Sequence, residues 1–204
     1  MDEARTVREF WLGQRPASAA ALQARLRFWF GGDAAELRER DEQIRTRFGA
    51  LLERAASGAL GSWADGPRRR LSLIILLDQF PRNMFRGTAR AFAYDAQALA
   101  LTLSGMQSAA DAALDAVERV FFYMPMQHAE NYDVQDESVA ACRRLLAEAP
   151  GELRSIFEGV VRAAESHRSI IERFGRFPHR NRLLQRDSTA AEEKWLRHAQ
   201  SFGQ

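Results

Sequence analysis

The chain holds one cysteine, Cys142, and one lysine, Lys194, among 204 residues. A single thiol excludes an intrachain disulfide and any zinc site built from several cysteines. Long apolar runs are missing too. Leu73 to Leu77 is five residues between Ser72 and Asp78, far short of the roughly 18 to 20 needed to cross a bilayer, so no membrane partner is expected. The opening residues Met1-Asp2-Glu3-Ala4-Arg5 lack a basic stretch followed by an apolar core and a small-residue cleavage site, and a cytoplasmic location is expected. No Gly-rich phosphate loop precedes a helix, and no serine sits in a nucleophile elbow. The strict apolar-polar alternation of half-buried strands does not occur.

What is present is an ordinary globular composition, 46% hydrophobic and 27% charged, with a chain long enough for a real core. Its length is read as a single domain over 1–204. Twenty-eight of the 29 basic residues are arginine, which does not titrate at ordinary pH, but the net charge is only +2. Charge is segregated along the chain. Residues 67–90 carry six arginines against Asp78, and residues 168–187 carry six against Glu172 and Asp187, whereas residues 107–152 carry nine carboxylates against three arginines. Pairing within the fold is the simplest use of that arrangement. The Arg68-Arg69-Arg70 run is read as a helix face with acidic partners in the same chain, and no nucleic-acid partner is expected.

Apolar residues recur at three-to-four spacing from end to end, which predicts an all-α protein of about eight helices. The first runs over about 4–12 with Val7, Phe10 and Trp11 on one side. After Pro16 comes an alanine-rich stretch that leads through Trp29 and Phe30 to Asp33, read as the N-cap of a helix ending at Gly58. Its apolar stripe, Leu37, Ile44, Phe48, Leu51 and Ala55, contains one misfit, Asp41. Asp65-Gly66-Pro67 signals the start of a helix over 68–79, apolar on nearly every side and hence central, which Pro81 is expected to stop. Further helices are predicted over about 89–103, 111–124, 133–148 and 152–174, the last ended by Gly175 and Pro178. A final one begins with the capping box Thr189/Glu192 and carries Trp195, Leu196, Ala199 and Phe202. Short connections suggest antiparallel helix pairs.

Three helices thus meet a proline followed at once by polar groups: LLDQFPRNMFRG, FFYMPMQHAENYD and RFGRFPHRN. Proline frees carbonyls that need donors, and Arg82, Asn83, Arg180 and Asn181 are placed to supply them. The alternative is that the three loops converge on one polar cavity lined by Arg82, Arg86, His128, Arg176, His179 and Arg180, with Asp78, Asn83, Glu130, His167, Arg173 and Asn181 as further members. Asp78 follows Ile74 and Ile75 on one face, so its carboxylate requires a charged partner, with arginine the obvious one. His167 shares the face of Val160 and Phe174, where burial favours the neutral ring. His128, Glu130, Asp133, His167 and His179 are metal-capable residue types, but none forms the i, i+4 histidine pair of a zinc-binding helix, and neither metal nor cofactor is expected. Cys142 reads as a small buried filler.

Five stretches carry a resemblance: FWLG at 10–13, IRTRF at 44–48, LLDQFPRNMFRGTARAFAYD at 76–95, FFYMPMQHAENYDVQDES at 121–138 and HRSIIERFGRFPHRN at 167–181. In these the chain resembles the bacterial proteins of domain of unknown function 924, grouped with tetratricopeptide-like helical proteins. The resemblance implies an α-α superhelix and no reaction. The residues themselves favour a scaffold that binds an anionic small molecule or acidic peptide, with arginine forks on the acid, His128 and His179 as adjustable donors, and Asp78 and Glu130 orienting the arginines. The alternatives are a hydrolase or lyase with His128 or His179 as base beside Glu130, and an adaptor with a concave helical face.

Overall fold

The computed structural model describes residues 2–13 and 19–198, and every regular element among them is helical. Helices α1 (Glu3–Leu12), α2 (Ala19–Phe30) and α3 (Ala34–Ala56) open the chain. A continuous rod follows, made of α4 (Pro67–Ile74), a π-helical turn (Ile75–Gln79) and α5 (Phe80–Met84). Then come α6 (Asp95–Gln107), α7 (Ala116–Gln127), α8 (Tyr132–Glu148), α9 (Arg154–Phe174) and α10 (Ala190–Leu196), with short 3-10 turns between several of them.

Local chemistry explains most of these boundaries. Asp33, Asp115 and Thr189 each cap a helix N-terminus reciprocally with Glu36, Glu118 and Glu192 three residues on. Pro67 opens α4, where a missing N–H is harmless. Gly58 (φ 81°) and Gly175 (φ 67°) take the left-handed conformation that ends α3 and α9.

Five expectations need correction. The alanine-rich stretch is itself a helix, α2. Its alanines favour helix, and the Trp29 indole N–H docks it on α1 by donating to the Trp11 carbonyl at 2.8 Å. The helix expected over 89–103 begins at Asp95, after a 3-10 turn over Ala89–Phe92, and that expected over 111–124 begins at Ala116, where the Asp115 cap lies. Pro81 does not stop its helix. The π turn widens the preceding ring, so the Phe80 N–H reaches back to the Ile75 carbonyl, and the chain continues helically to Met84. Pro125 likewise lies inside α7, which runs on to Gln127. Pro16, Ala199 and Phe202 lie outside the described residues.

The rod of α4, π turn and α5 is the centre, as its all-round apolar character requires. Leu71, Ile74, Ile75, Leu76 and Phe80 are sealed from solvent between α1, α3, α6 and α7. Each such side chain contributes about 1.5–3 kcal/mol by burial. Around Phe80 an aromatic cluster of Phe10, Trp11, Phe48 and Phe121 packs mainly edge to face. Beyond this core α7, α8 and α9 pack in succession. No helix among the described residues is long and apolar enough to cross a membrane.

Candidate functional site

The π turn carries the centre of a polar cluster. Asp78 sits in it, fully buried, and collects donors from three directions. His128, just past the end of α7, presents Nδ1 at 2.7 Å, the Gln79 amide donates at 2.5 Å, and Arg82 Nη1 lies at 3.5 Å. Burial alone pushes the Asp78 carboxyl up, but His128, Arg82 and the donated hydrogen bonds outweigh it and hold it well below the ordinary carboxylate range. Arg82 also donates to the Asp78 backbone carbonyl at 2.6 Å, and the Asn83 amide donates to the Gln79 carbonyl at 2.9 Å. Both carbonyls lie just ahead of Pro81, where a regular ladder is interrupted.

Arg82 then grips Asp95, the first residue of α6, with both nitrogens at 2.9 Å. The same carboxylate receives Arg180, from the 3-10 turn Pro178–Arg180, at 3.3 Å. The two similar stretches, Phe80-Pro81-Arg82-Asn83 and Phe177-Pro178-His179-Arg180-Asn181, thus send an arginine each to one acid, although the first is helix and the second a turn. Arg82 has the stronger hold. Arg180 is only 7% exposed, lies between the rings of Phe92 (4.7 Å) and Phe177 (4.5 Å), and its Nε has no hydrogen-bond partner among the described residues. Burial and the nearby Arg82 lower its pKa to about 10, so it remains a cation at neutral pH.

Three imidazoles gather beside this cation. The His128 ring is 6.3 Å from that of His167, which is 5.6 Å from Phe177, and Phe177 in turn is 5.5 Å from His179. Burial, then repulsion from Arg180 and neighbouring imidazoles, takes His179 down to about 4. His167 also falls to about 4, chiefly through burial, although its Nδ1 has the Ala163 carbonyl at 2.8 Å as a hydrogen-bond partner. For His128, burial and Arg82 lower the pKa against the pull of Asp78. All three rings are neutral at pH 7. With Asp78 ionised, the His128 Nδ1–H donates to it and Nε2 is the acceptor nitrogen. Thirteen per cent of the His128 side chain stays exposed.

The remaining residues named from sequence fall into separate groups. Glu130 does not partner His128. It accepts the Phe177 N–H at 2.8 Å and holds Arg186 through both nitrogens at 2.6 and 2.9 Å, bracing the segment that carries Arg180. Asn181 is locked in that segment by Ser188 and Arg186. Arg86 is drawn to Asp41 of α3 at 2.8 and 3.0 Å, and the Asn83 side-chain oxygen accepts from Arg40. That explains the misfit Asp41 and takes Arg86 out of the histidine cluster. Arg176 turns to Glu192, and with Arg173 it lines a shallow hollow beside α10. Of the arginine run, Arg68 faces Glu118 at 3.5 Å and Arg70 donates to the Leu101 carbonyl at 2.9 Å. Cys142 is buried, and burial pushes its thiol up to about 11. Among the described residues no group of three or more His, Cys, Asp or Glu side chains is arranged to hold a metal ion.

Sequence reasoning missed Asp95, Phe92, Arg186 and Gln135. Asp95 left a signal, being the sole carboxylate between Asp78 and Asp111 and amid three arginines. Gln135 of α8 left none: its buried amide lies within hydrogen-bond distance of the carbonyls of Met126, Gln127 and Ala129, closing the end of α7 that positions His128.

Residues 7–200 match the family model described as bacterial protein of unknown function (DUF924), and the chain belongs to that family. A solved structure of a protein of unknown function, ATU0120 from Agrobacterium tumefaciens, is 35% identical, with 96% of this chain and 97% of that one covered and a TM-score of 0.77. No curated protein matches the chain.

Proposed function

We propose that this DUF924 protein binds a small anion, a carboxylate or a phosphate, at Arg180 beside the three imidazoles, on a helical scaffold paired in the tetratricopeptide-like manner that the successive packing of α7, α8 and α9 supports. One observation carries the reading. Arg180 is a buried cation that receives only a share of Asp95, while Arg82, Arg86, Arg176 and Arg186 each hold a carboxylate with two nitrogens. A buried guanidinium with an unpartnered Nε is costly unless something completes its hydrogen bonding. An oxyanion seated against Nε does so, and Phe92 and Phe177 fix the plane of the fork in advance.

Isothermal titration against a panel of carboxylated and phosphorylated metabolites tests this. The expected result is saturable binding of at least one member, weakened at least about tenfold in Arg180→Lys, which keeps the charge and loses the fork, and unchanged in Arg173→Gln. Absence of binding across the panel, or equal binding by Arg180→Lys, contradicts it.

A second reading, acid-base catalysis on the bound ligand, is favoured by the 2.7 Å contact between Asp78 and His128. The buried carboxylate orients the ring and leaves Nε2 as the base. Relative to the sequence expectation, Asp78 takes the place of Glu130.

A further inference from the structure

We propose that the acid recognised at Arg180 carries a hydroxyl group, and that His128 Nε2 accepts the hydrogen bond of that hydroxyl. The inference rests on the anion-binding reading above and adds to it the chemical class of the ligand.

Its ground is the donor and acceptor inventory of the site. A neutral imidazole has one of each. The buried Asp78 carboxylate only accepts, and it engages Nδ1 at 2.7 Å, so the proton of His128 is committed inward and the remaining nitrogen is a lone pair. The neighbouring ring is fixed the same way. His167 Nδ1 has a backbone carbonyl, that of Ala163, at 2.8 Å, and a carbonyl can only accept. The low pKa values produced by burial and the adjacent arginines keep both rings from gaining a second proton at neutral pH.

A bare carboxylate or the dianion of a simple phosphate monoester is a set of acceptors. It complements Arg180 but sets negative charge against the His128 lone pair, so imidazoles do not add to its affinity. This reverses the sequence expectation that His128 acts as a donor to the anion. An acid with a hydroxyl on a nearby carbon meets both requirements, giving its oxyanion to the guanidinium and its O–H to Nε2. The hydroxy carboxylates and the phosphate monoesters of polyols share that chemistry. Phe177, fully buried, packs against both Arg180 and His167 and holds the guanidinium and the imidazoles in one fixed arrangement.

The test is calorimetric titration of the full chain at pH 7.5 with three matched pairs: malate and succinate, glycerate and propionate, glycerol phosphate and propyl phosphate. The hydroxylated member of at least one pair is expected to bind at least about tenfold more tightly, the scale of one well-formed hydrogen bond to a buried acceptor. In His128→Phe, which keeps an aromatic ring without an acceptor nitrogen, that ratio is expected to fall to within about twofold while binding persists. Both results are required: a wild-type preference that persists in His128→Phe overturns His128 as the acceptor. Equal affinities within every pair overturn the hydroxyl inference and leave the anion site standing. No binding by any member removes both.

Discussion

At the scale of single residues, Asp95 is the acid that two arginines of the site share. It neutralises Arg82 through both oxygens and shares one of them with Arg180, and its own side chain is 19% exposed. Replacing it by a neutral isostere leaves two largely buried guanidinium groups with Asp78 as their nearest negative charge. Breaking a buried pair from one side typically costs about 3–5 kcal/mol because the abandoned charge stays desolvated. Asp95→Asn is therefore expected to lower urea-unfolding stability by that amount. Glu165→Gln, which removes the partner of the well-exposed Arg143, is expected to leave it unchanged. A cost under about 1 kcal/mol for Asp95→Asn would mean that water reaches the cluster freely.

At the scale of elements, the π turn is the device that makes the site. Its extra residue lets the rod pass through Pro81 without a stop and sets Asp78 inside the molecule, in reach of α7 and one turn from Arg82. Since Pro81 stands in the first turn of α5, where its missing N–H is least harmful, it is not the strained proline of a regular helix interior, which costs about 3 kcal/mol. Pro81→Ala is accordingly expected to change stability by less than about 1 kcal/mol in urea unfolding. A gain of about 3 kcal/mol would show the proline to be strained. The same element marks what sequence could reveal. Periodicity, caps and the Gly58 and Gly175 stops disclosed most helices; the three proline stretches pointed to Asp78, Arg82, His128, His179 and Arg180, which lie near one another, and His167 was singled out by its place on an apolar helix face. A π turn has no distinct periodicity, so the continuation through Pro81 was hidden. Partner choice was hidden as well, because Asp95 for Arg82, Asp41 for Arg86 and Arg186 for Glu130 are set by packing between segments 13 to 56 residues apart.

For the whole molecule, the neutral histidines couple folding to pH. His167 and His179 fall from the ordinary 6.5 to about 4 on folding. Between these values the unfolded chain binds more protons than the folded one, so stability is fully present above about pH 6.5 and is lost as pH falls toward 4. The slope is at most about 1.4 kcal/mol per pH unit for each ring. Thermal unfolding monitored by circular dichroism is expected to show the midpoint falling steadily from pH 6.5 to 4, with a shallower fall in His167→Gln. A flat midpoint across that window would mean that the rings are as solvated folded as unfolded. Ligand binding should then stabilise the fold by mass action at pH 7, where the rings are already in their binding state.

The account stands on the claim that Arg180 and three imidazoles from separate segments form one anion site, and imidazole nitrogen NMR of uniformly labelled protein at pH 7, recorded as inorganic phosphate is added, addresses it directly. Phosphate at that pH carries both the negative charge and the O–H the site calls for. The account predicts neutral rings with Nδ1 protonated for His128 and His167 before addition, then joint, saturable shifts of His128, His167 and His179, while the exposed His198 stays where it was. Rings that fail to move together, or shifts that grow linearly and include His198 to the same extent, would contradict it.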